Sequence, residues 1–531
     1  MLRILVTDPI SDQGLKELYV SGEFEVVEQV GIAPADLLSV IGDFDALLVR
    51  SQTKVTKEVI AAGKRLRVIG RAGVGVDNID VRAATKAGIL VINAPDGNTI
   101  TTAEFTFSMM LALARHIPQA NANLRDGKWD RTRFTGVELR DKTLGVIGFG
   151  RIGTEVAKRA LTFGMHVIAY DPFLTNARAE KMGIQMGTIE ETIRKADFIT
   201  VHTPLTKETR HVISDKEFSQ MKRGVKILNC ARGGIIDESA LLRALDEGIV
   251  SGAALDVYEE EPAIANPLLA YPQVIATPHL GASTVEAQVN VAVDVAVGLV
   301  QLLRGESYSH TVNLPALSPE ARKKVEPFVV LGEIIGSLAA QTMRGGVQQV
   351  QIRYEGEPAQ QPIDAMTRSI LKGVLTHFYR EEVHVISATL IAEEMGIEVI
   401  ETKQPRHGTY ANLIEVRLNG DQGTVAVAGT FVPGHGLRIV QIDEYSVDIA
   451  PSEAMVMTWH RDQPGVIGYI GGILGQEGVN IASMQVGRQE IGGQAIMLLG
   501  VDREVSEALL KQMRDVIGMD RVLYVELPIQ S

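Results

Sequence analysis

Short runs of β-branched residues alternate with helix-like segments over the first three hundred residues of the chain. The first five runs predict strands at 4–8, 24–27, 46–50, 67–70 and 90–93. A second alternating series begins with a predicted strand at 143–148 and ends with one at 274–277. Alternation of this kind is typical of βαβ units, in which helices cover both faces of a parallel sheet. The sequence therefore predicts an α/β fold with two doubly wound, Rossmann-like domains.

Two long helical patterns indicate how these domains are connected. One helix is predicted over 99–124, between the two series, and a second over 285–303, which would return the chain to the first domain. We therefore expect one domain to comprise residues 1–97 and 285–315, and the other to comprise residues 98–284.

The C-terminal part of the chain has a different pattern. Beyond a linker rich in proline and serine, residues 316–450 predict helices followed by strands at 347–354, 413–418, 425–432 and 437–443, an α+β domain. Residues 451–531 predict the order βαββαβ, which is typical of a ferredoxin-like module.

Charge and composition exclude several classes of partner. The 531 residues carry a formal net charge of −13 and no dense basic tract, so we expect neither nucleic acid nor an anionic membrane as the main partner. A membrane-spanning helix needs about 18 unbroken apolar residues. The most apolar stretches of the chain do not meet this requirement, because 105–114 is too short and 289–303 is short and contains Asp294. Cys230 is the single cysteine, and residues 1–20 lack a leader pattern, so a cytoplasmic location is expected. The 11 histidines show no paired metal-ligand spacing, so no metal is expected.

A glycine-rich turn predicts a dinucleotide site. Gly148, Gly150 and Gly153 form GxGxxG between a predicted strand and helix, where a pyrophosphate can approach the backbone and the helix N-terminus. Asp171 ends the next strand, eighteen residues after Gly153. A carboxylate there accepts hydrogen bonds from both ribose hydroxyls and repels a 2′-phosphate, so NAD is favoured over NADP. The alternative is a glycine-rich turn that binds nothing.

Three ionisable residues near predicted strand ends suit the oxidation of a 2-hydroxy acid. Imidazole, with an unperturbed pKa near 6.5, is a suitable base for the hydroxyl proton, and His279 is the candidate. Glu261 is the candidate carboxylate partner of the imidazole. Arg232 is the candidate fork for the substrate carboxylate. Each of the three, taken alone, is equally compatible with an ordinary surface residue.

In combination, these residues identify a family resemblance that covers about residues 1–312. The chain resembles the D-isomer-specific 2-hydroxyacid dehydrogenases through the motifs at 148–153, 229–234, 256–262 and 278–284. The resemblance implies that His279 is the acid/base, Glu261 its partner and Arg232 the substrate-orienting cation. It also implies a homo-oligomer, either dimer or tetramer, and closure between the two α/β domains about hinges near 93–98 and 281–284.

The same resemblance supplies the remaining residues of the expected cofactor site. They are Arg151 and Ile152 at the pyrophosphate, and Thr203, Cys230, Ala231, Arg232, Asp256, His279, Gly281 and Ala282 towards the nicotinamide.

Within the family, the motifs at 48–51 and 70–78 are most similar to the branch that oxidises 3-phospho-D-glycerate at the entry to L-serine biosynthesis. This resemblance implies that Arg50, Arg71 and Gly73 bind the substrate together with Arg232, because guanidinium forks suit phosphate oxygens. Two further arginines, at 131 and 133, either reach a neighbouring subunit or belong to a solvated turn.

The C-terminal modules resemble regulatory domains. Residues 451–531 resemble an ACT domain, with motifs at 460–466 and 478–481, which implies that His460, Asp462 and Asn480 bind an amino-acid effector such as L-serine. The alternative is a module used only for assembly. Residues 316–450 resemble the intervening domain of long members of the same branch, where 434–436 and Arg438 predict a hairpin turn rather than an anion site.

We expect an NAD-dependent oxidoreductase that converts 3-phospho-D-glycerate to 3-phosphooxypyruvate. The first alternative is a glyoxylate or hydroxypyruvate reductase of the same family, and the second is a non-metabolic NAD-sensing binding protein.

Overall fold

The computed structural model describes residues 1–405 and 409–529. The first sheet has the order β2-β1-β3-β4-β5, and every strand pair in it is parallel. Its strands are β1 Leu2–Val6, β2 Phe24–Glu28, β3 Ala46–Val49, β4 Val68–Arg71 and β5 Leu90–Asn93. Its helices are α1 Asp12–Val20, α2 Pro34–Val40, α3 Lys57–Ala62 and α4 Val81–Lys86.

The connection to the second sheet consists of two helices, α5 Thr99–Arg115 and α6 Ile117–Arg125, so the prediction of one helix over 99–124 is wrong. His116 between them has a left-handed backbone, with φ of 52°. Pro118 lies in the first turn of α6 and has no N–H to donate to the preceding turn. The helical spacing of apolar residues nevertheless continues across this break, because Ile117, Ala120 and Leu124 follow α5 at intervals of three and four residues, with Ile117 and Leu124 exposed.

The second sheet has the order β12-β11-β10-β9-β6-β7-β8 and is also parallel throughout. Its strands are β6 Thr143–Ile147, β7 His166–Tyr170, β8 Gln185–Met186, β9 Phe198–Val201, β10 Val225–Asn229, β11 Val250–Leu255 and β12 Val274–Ala276. Its helices are α7 Arg151–Thr162, α8 Asn176–Met182, α9 Ile189–Lys195, α10 Asp215–Phe218 and α11 Glu238–Asp246. Separate apolar cores fill its two faces, so the sheet is doubly wound. In such sheets, ligands bind at the carboxyl ends of the strands.

Helix α12, Val285–Leu303, returns the chain to the first sheet. By length and composition alone it is the one helix among the described residues that is apolar enough to cross a membrane. Its inner face, including Val291, Val295 and Leu299, is buried in the core of the first sheet together with Ile4. The apolar sequence of α12 is therefore used in packing against that sheet.

The third sheet is mixed and has the order β14-β13-β15-β16-β17-β18. Its strands are β13 Val347–Gly356, β14 Glu398–Gln404, β15 Asn412–Gly420, β16 Gly423–Val432, β17 Gly436–Ile442 and β18 Tyr445–Ile449. Its helices are α13 Pro319–Thr342, α14 Asp364–Phe378 and α15 Ala388–Glu394. Strands β14 and β18 were not predicted. Residues 433–435 form the turn between β16 and β17, and Gly436 pairs with Val432 as the first residue of β17. Arg438 pairs with Asp448 at 2.7 Å, so residues 434–436 and Arg438 fit the hairpin expectation.

The fourth sheet is antiparallel and has the order β20-β21-β19-β22. Its elements are β19 Ala454–Arg461, α16 Val466–Gln476, β20 Ile481–Arg488, β21 Gln494–Val501, α17 Glu507–Arg514 and β22 Met519–Glu526. This is the predicted βαββαβ order. With the two parallel sheets and the mixed sheet, it confirms the predicted fold class.

The third and fourth sheets share a core. Met457 and Leu498, from one face of the fourth sheet, lie in the same apolar cluster as Phe328 and Leu331 of α13. The opposite face of the fourth sheet packs on α16 and α17, through residues such as Val456 and Met497. One face of the C-terminal module is therefore buried against the preceding α+β region.

Candidate active site

The cofactor half of the site begins where β6 ends. Gly148 has φ of +92°, and a Cβ at this position would lie 2.6 Å from the carbonyl oxygen of His202. Only glycine therefore fits the turn. Gly150 precedes α7, and no heavy atom lies within 4 Å of a Cβ built on it. The backbone at the N-terminus of α7 is thus open to a bound anion.

Asp171 lies at the carboxyl end of β7, beside this turn. One carboxylate oxygen accepts a hydrogen bond from the backbone N–H of Phe149 at 2.7 Å, and the other accepts from Phe173 at 2.8 Å. These bonds fix the carboxylate next to the glycine-rich turn. Its position matches that of the ribose-binding carboxylate in a dinucleotide site.

Two buried polar atoms next to the turn have no hydrogen-bond partner among the described residues. They are Nδ1 of His202 and Oγ1 of Thr203, which follow β9. Buried polar atoms are normally paired, so these atoms suit a ligand that carries its own donors and acceptors. Together with the open backbone at Gly150 and the anchored Asp171, they fit NAD.

Cys230 and Asp256 lie deeper, at the ends of β10 and β11. Burial, reinforced by the charge of Asp256, raises the pKa of the Cys230 thiol to about 12, so the thiol is protonated at neutral pH. Asp256 is fully buried and accepts hydrogen bonds from Thr277 Oγ1 at 2.6 Å and from the backbone N–H groups of Leu280 and Gly281, both at 2.7 Å. Asp256 thereby holds in place the loop that carries His279, Gly281 and Ala282.

His279 and Glu261 form the predicted pair. The Nδ1 atom of His279 lies 2.9 Å from Oε2 of Glu261, and the other oxygen of Glu261 accepts from the backbone N–H of Tyr258 at 3.2 Å. Both side chains line a cavity of about 550 Å³. Because the carboxylate binds Nδ1, Nε2 is the ring atom available to a substrate proton.

Arg232 follows β10 and faces the first domain. Its Nη1 donates to the carbonyl of Ala231 at 2.7 Å, and its Nε lies 3.5 Å from Oδ2 of Asp77. Asp77 belongs to the loop after β4, so this ion pair crosses the cleft between the first and second sheets.

Arg71, a predicted substrate-binding residue, is held by hydrogen bonds within the first domain. Its Nε donates to Asn78 Oδ1 at 2.7 Å and to the carbonyl of Arg50 at 3.1 Å, and its Nη1 donates to the carbonyl of Gly75. Burial lowers the pKa of Arg71, an effect that Asp77 opposes. A Cβ at Gly73 would lie 2.7 Å from Nη1 of Arg71, so that glycine makes room for the guanidinium. In this structure Arg71 mainly shapes the loops around the first-domain side of the cleft.

A buried carboxylate that was not predicted from the sequence supports Arg50. Asp8 is 1% exposed and accepts from the backbone N–H groups of Arg50 at 2.7 Å, Gln52 at 3.1 Å and Thr53 at 3.1 Å. An acidic residue at the end of an apolar strand was the available signal. Asp8 fixes the loop that presents Arg50.

Asn98 and Thr99, where α5 begins, were also missed. Oδ1 of Asn98 and Oγ1 of Thr99 are buried without a hydrogen-bond partner among the described residues. Asn98 is the last residue of the hinge segment predicted at 93–98, and Thr99 follows it.

The predicted effector residues do not meet within one chain. His460 is buried against Thr458, with 3.1 Å between Nδ1 and Oγ1, and burial lowers its pKa. Asp462 binds Arg488 at 2.9 Å. These residues precede α16, whereas Asn480 follows it and donates to Asp502 at 2.7 Å. The 11 residues of α16 separate the two groups by about 16 Å.

Comparisons with known families agree with this arrangement. Residues 107–281 match the D-isomer specific 2-hydroxyacid dehydrogenase, NAD binding domain. Residues 324–443 match the D-3-phosphoglycerate dehydrogenase intervening domain, and residues 454–518 match the ACT domain.

Individual relatives match over nearly the whole chain. D-3-phosphoglycerate dehydrogenase of Bacillus subtilis is 47% identical over 99% of this chain and 100% of its own. D-3-phosphoglycerate dehydrogenase of Methanocaldococcus jannaschii is 45% identical with the same coverage. Among solved structures, D-lactate dehydrogenase of Aquifex aeolicus, complexed with NAD and lactic acid, is 27% identical with a TM-score of 0.52, covering 59% of this chain and 99% of its own. The chain therefore belongs to the family of D-3-phosphoglycerate dehydrogenases, and it is an NAD-dependent oxidoreductase with a C-terminal ACT domain.

Proposed function

We propose that this enzyme oxidises 3-phospho-D-glycerate to 3-phosphooxypyruvate as the first step of L-serine biosynthesis, in the cytoplasm. The main support is the pairing of His279 with Glu261 at 2.9 Å, together with the proximity of Arg232 and Arg50 to Arg71. An acid/base pair and a group of arginines suit a hydroxy acid that carries two anionic groups.

In this proposal, Nε2 of His279 accepts the proton of the C2 hydroxyl during oxidation. Glu261 stabilises the resulting imidazolium and fixes the orientation of the ring. Arg232 binds the substrate carboxylate, which places the C2 carbon in the cleft. NAD, when bound, supplies the hydride acceptor.

The substrate phosphate is assigned to the first domain. Arg50 follows β3 on a loop that Asp8 holds, and Arg71 and Gly73 shape the neighbouring loop. We propose that Arg50 contacts the phosphate and that Arg71 adds positive charge nearby. Arg131 or Arg133 of a neighbouring subunit is a further candidate within the proposed homo-oligomer.

The ACT domain is proposed to bind an amino-acid effector, with L-serine as the candidate. Because His460 and Asp462 lie at one end of α16 and Asn480 at the other, a complete site would combine ends from two subunits. An ACT domain used only in assembly is the alternative.

Steady-state kinetics of the purified protein test the substrate assignment. We expect NAD-dependent turnover of 3-phospho-D-glycerate, and an Arg50→Ala variant whose KM rises mainly for phosphorylated substrates. Arg243→Ala, which removes a surface arginine paired with Asp215, is the matched control and should leave KM unchanged. Equal effects of Arg50→Ala on hydroxypyruvate would favour a glyoxylate or hydroxypyruvate reductase. Cofactor binding without turnover of any 2-hydroxy acid would favour an NAD-sensing protein.

A further inference from the structure

Two aspartates of the first domain each hold an arginine of the second domain across the cleft. Oδ2 of Asp77 lies 3.5 Å from Nε of Arg232, and Oδ1 of Asp96 lies 2.6 Å from Nε of Arg151. Arg232 is the proposed partner of the substrate carboxylate, and Arg151 lies at the N-terminus of α7, where the pyrophosphate is expected. Each arginine thus already has a carboxylate at the place where a ligand anion would bind.

The surroundings of Asp77 are strongly cationic. Arg50 and Arg232 both lie close enough to Arg71 to oppose its positive charge, and Asp77 lies close enough to stabilise it. A Cβ on Gly75 would lie 2.2 Å from Nη2 of Arg232 and 2.6 Å from Oδ2 of Asp77. The two side chains therefore meet directly over the backbone of Gly75, which leaves room for the pair only because residue 75 is glycine.

Asp96 lies in the hinge segment between β5 and α5. Its second oxygen is 3.6 Å from Nε2 of His310, whose Nδ1 is 3.6 Å from Asp294 on α12. The next residue, Gly97, is packed so closely that a Cβ there would lie 2.5 Å from Val291. The backbone position of Asp96 is therefore fixed by the packing of α12.

Both ion pairs are accessible to solvent. The side chains of Asp77 and Asp96 are 72% and 54% exposed, and those of Arg232 and Arg151 are 30% and 56% exposed. Exposed ion pairs contribute little stability and are screened by salt. An incoming anion that makes additional hydrogen bonds can therefore displace the aspartate.

We propose that Asp77 and Asp96 are internal counter-ions, which neutralise the two anion sites of the ligand-free enzyme and are exchanged for ligand anions. The substrate carboxylate replaces Asp77 at Arg232, and the cofactor pyrophosphate replaces Asp96 at Arg151. This inference rests on the proposed function for the identity of the substrate. The consequence is selectivity for substrate and cofactor over inorganic anions. An inorganic anion offers only charge, so it gains little by replacing the aspartate carboxylate that is already paired with the arginine.

Calorimetric titration of the full-length protein tests this proposal separately at each site. The variants are Asp77→Asn and Asp96→Asn, which keep the side-chain shape and remove the charge. Asp77→Asn should bind inorganic sulfate, titrated into the NADH complex, about two- to fivefold more tightly, with the NADH Kd unchanged. Asp96→Asn should bind NADH about two- to fivefold more tightly, with the sulfate Kd unchanged. Added NaCl should reduce both differences.

Three controls distinguish the outcomes. Asp215→Asn removes a carboxylate outside the cleft, which lies 2.6 Å from Nη2 of Arg243. The Kd values for sulfate and for NADH should both stay at wild-type values in this variant. Asp77→Glu and Asp96→Glu keep the charge and should also resemble wild type, and thermal midpoints verify folding. Unchanged or weaker binding in an Asn variant, or an effect of each variant on the other ligand, would overturn the proposal. Failure of the wild-type NADH complex to bind 3-phospho-D-glycerate would instead count against the proposed function. The Kd values of the variants for sulfate and NADH would still test the counter-ion proposal in that case.

Discussion

At the residue scale, the proposed acid/base role of His279 requires opposite forms of the imidazole in the two directions of the reaction. Oxidation requires a neutral imidazole to accept the hydroxyl proton, whereas reduction requires an imidazolium to donate it. We therefore expect kcat/KM for 3-phospho-D-glycerate to rise with pH and kcat/KM for 3-phosphooxypyruvate to fall over the same range. Initial rates in both directions across pH 5.5–9 check this expectation. Parallel trends in the two directions would contradict the role of His279.

His202 gives a stability prediction at the same scale. Burial lowers the pKa of His202 to about 4, below the value near 6.5 of an unfolded histidine. The unfolded chain therefore binds the additional proton, and stability from the neutral ring is lost as the pH falls from about 6.5 towards 4. The loss is on the order of 2 to 3 kcal/mol. Urea unfolding as a function of pH should show that the free energy of unfolding falls less steeply in acid for His202→Gln than for the wild type. An identical fall in the two proteins would refute the role of the buried His202 ring.

At the element scale, the break between α5 and α6 depends on one left-handed residue. His116 has φ of 52°, which costs a residue with a Cβ more than it costs glycine. His116→Gly should therefore leave stability unchanged or raise it by up to about 1 kcal/mol, whereas His116→Val should lower it. Chemical denaturation of the two variants measures the difference. A lower stability for the glycine variant than for the valine variant would contradict the strain argument.

The elements also show why sequence patterns succeeded in some places and failed in others. Strand β18 was missed although Tyr445, Val447 and Ile449 are buried in strict alternation, a signal that was present in the sequence. Strand β14 gave no such signal, because most of its side chains are exposed. The apolar pattern before and after His116 is compatible with one helix or two, so only the backbone conformation reveals the break.

At the scale of the whole molecule, the chain divides into a catalytic part and a C-terminal part with different folding requirements. The first and second sheets have their own cores, and the Aquifex D-lactate dehydrogenase corresponds to 59% of this chain over 99% of its own length. The third and fourth sheets share one core. Residues 1–315 alone should therefore fold and bind NADH, whereas residues 1–450 should expose apolar surface and self-associate. Light scattering and NADH titration test both fragments, and a monodisperse 1–450 fragment would contradict the shared core.

Contacts between distant parts of the chain were the least predictable feature. Glu394 at the end of α15 pairs with Arg82 and Lys86 of α4, each at 3.0 Å, and so connects the third sheet to the helix that follows the Asp77 loop. The motifs located the glycine-rich turn and Arg232 because their chemistry depends on local spacing. The aspartates that face the cleft arginines come from another domain, and no local pattern encodes that proximity.

The proposed substrate is a phosphorylated three-carbon hydroxy acid. The most direct measurement is NADH oxidation by the purified enzyme with 3-phosphooxypyruvate and hydroxypyruvate side by side, compared as kcat/KM. We predict a preference of at least about a hundredfold for the phosphorylated acid, about 2.7 kcal/mol of transition-state discrimination. Nearly equal values would contradict this substrate assignment and identify the enzyme as a broad 2-keto-acid reductase.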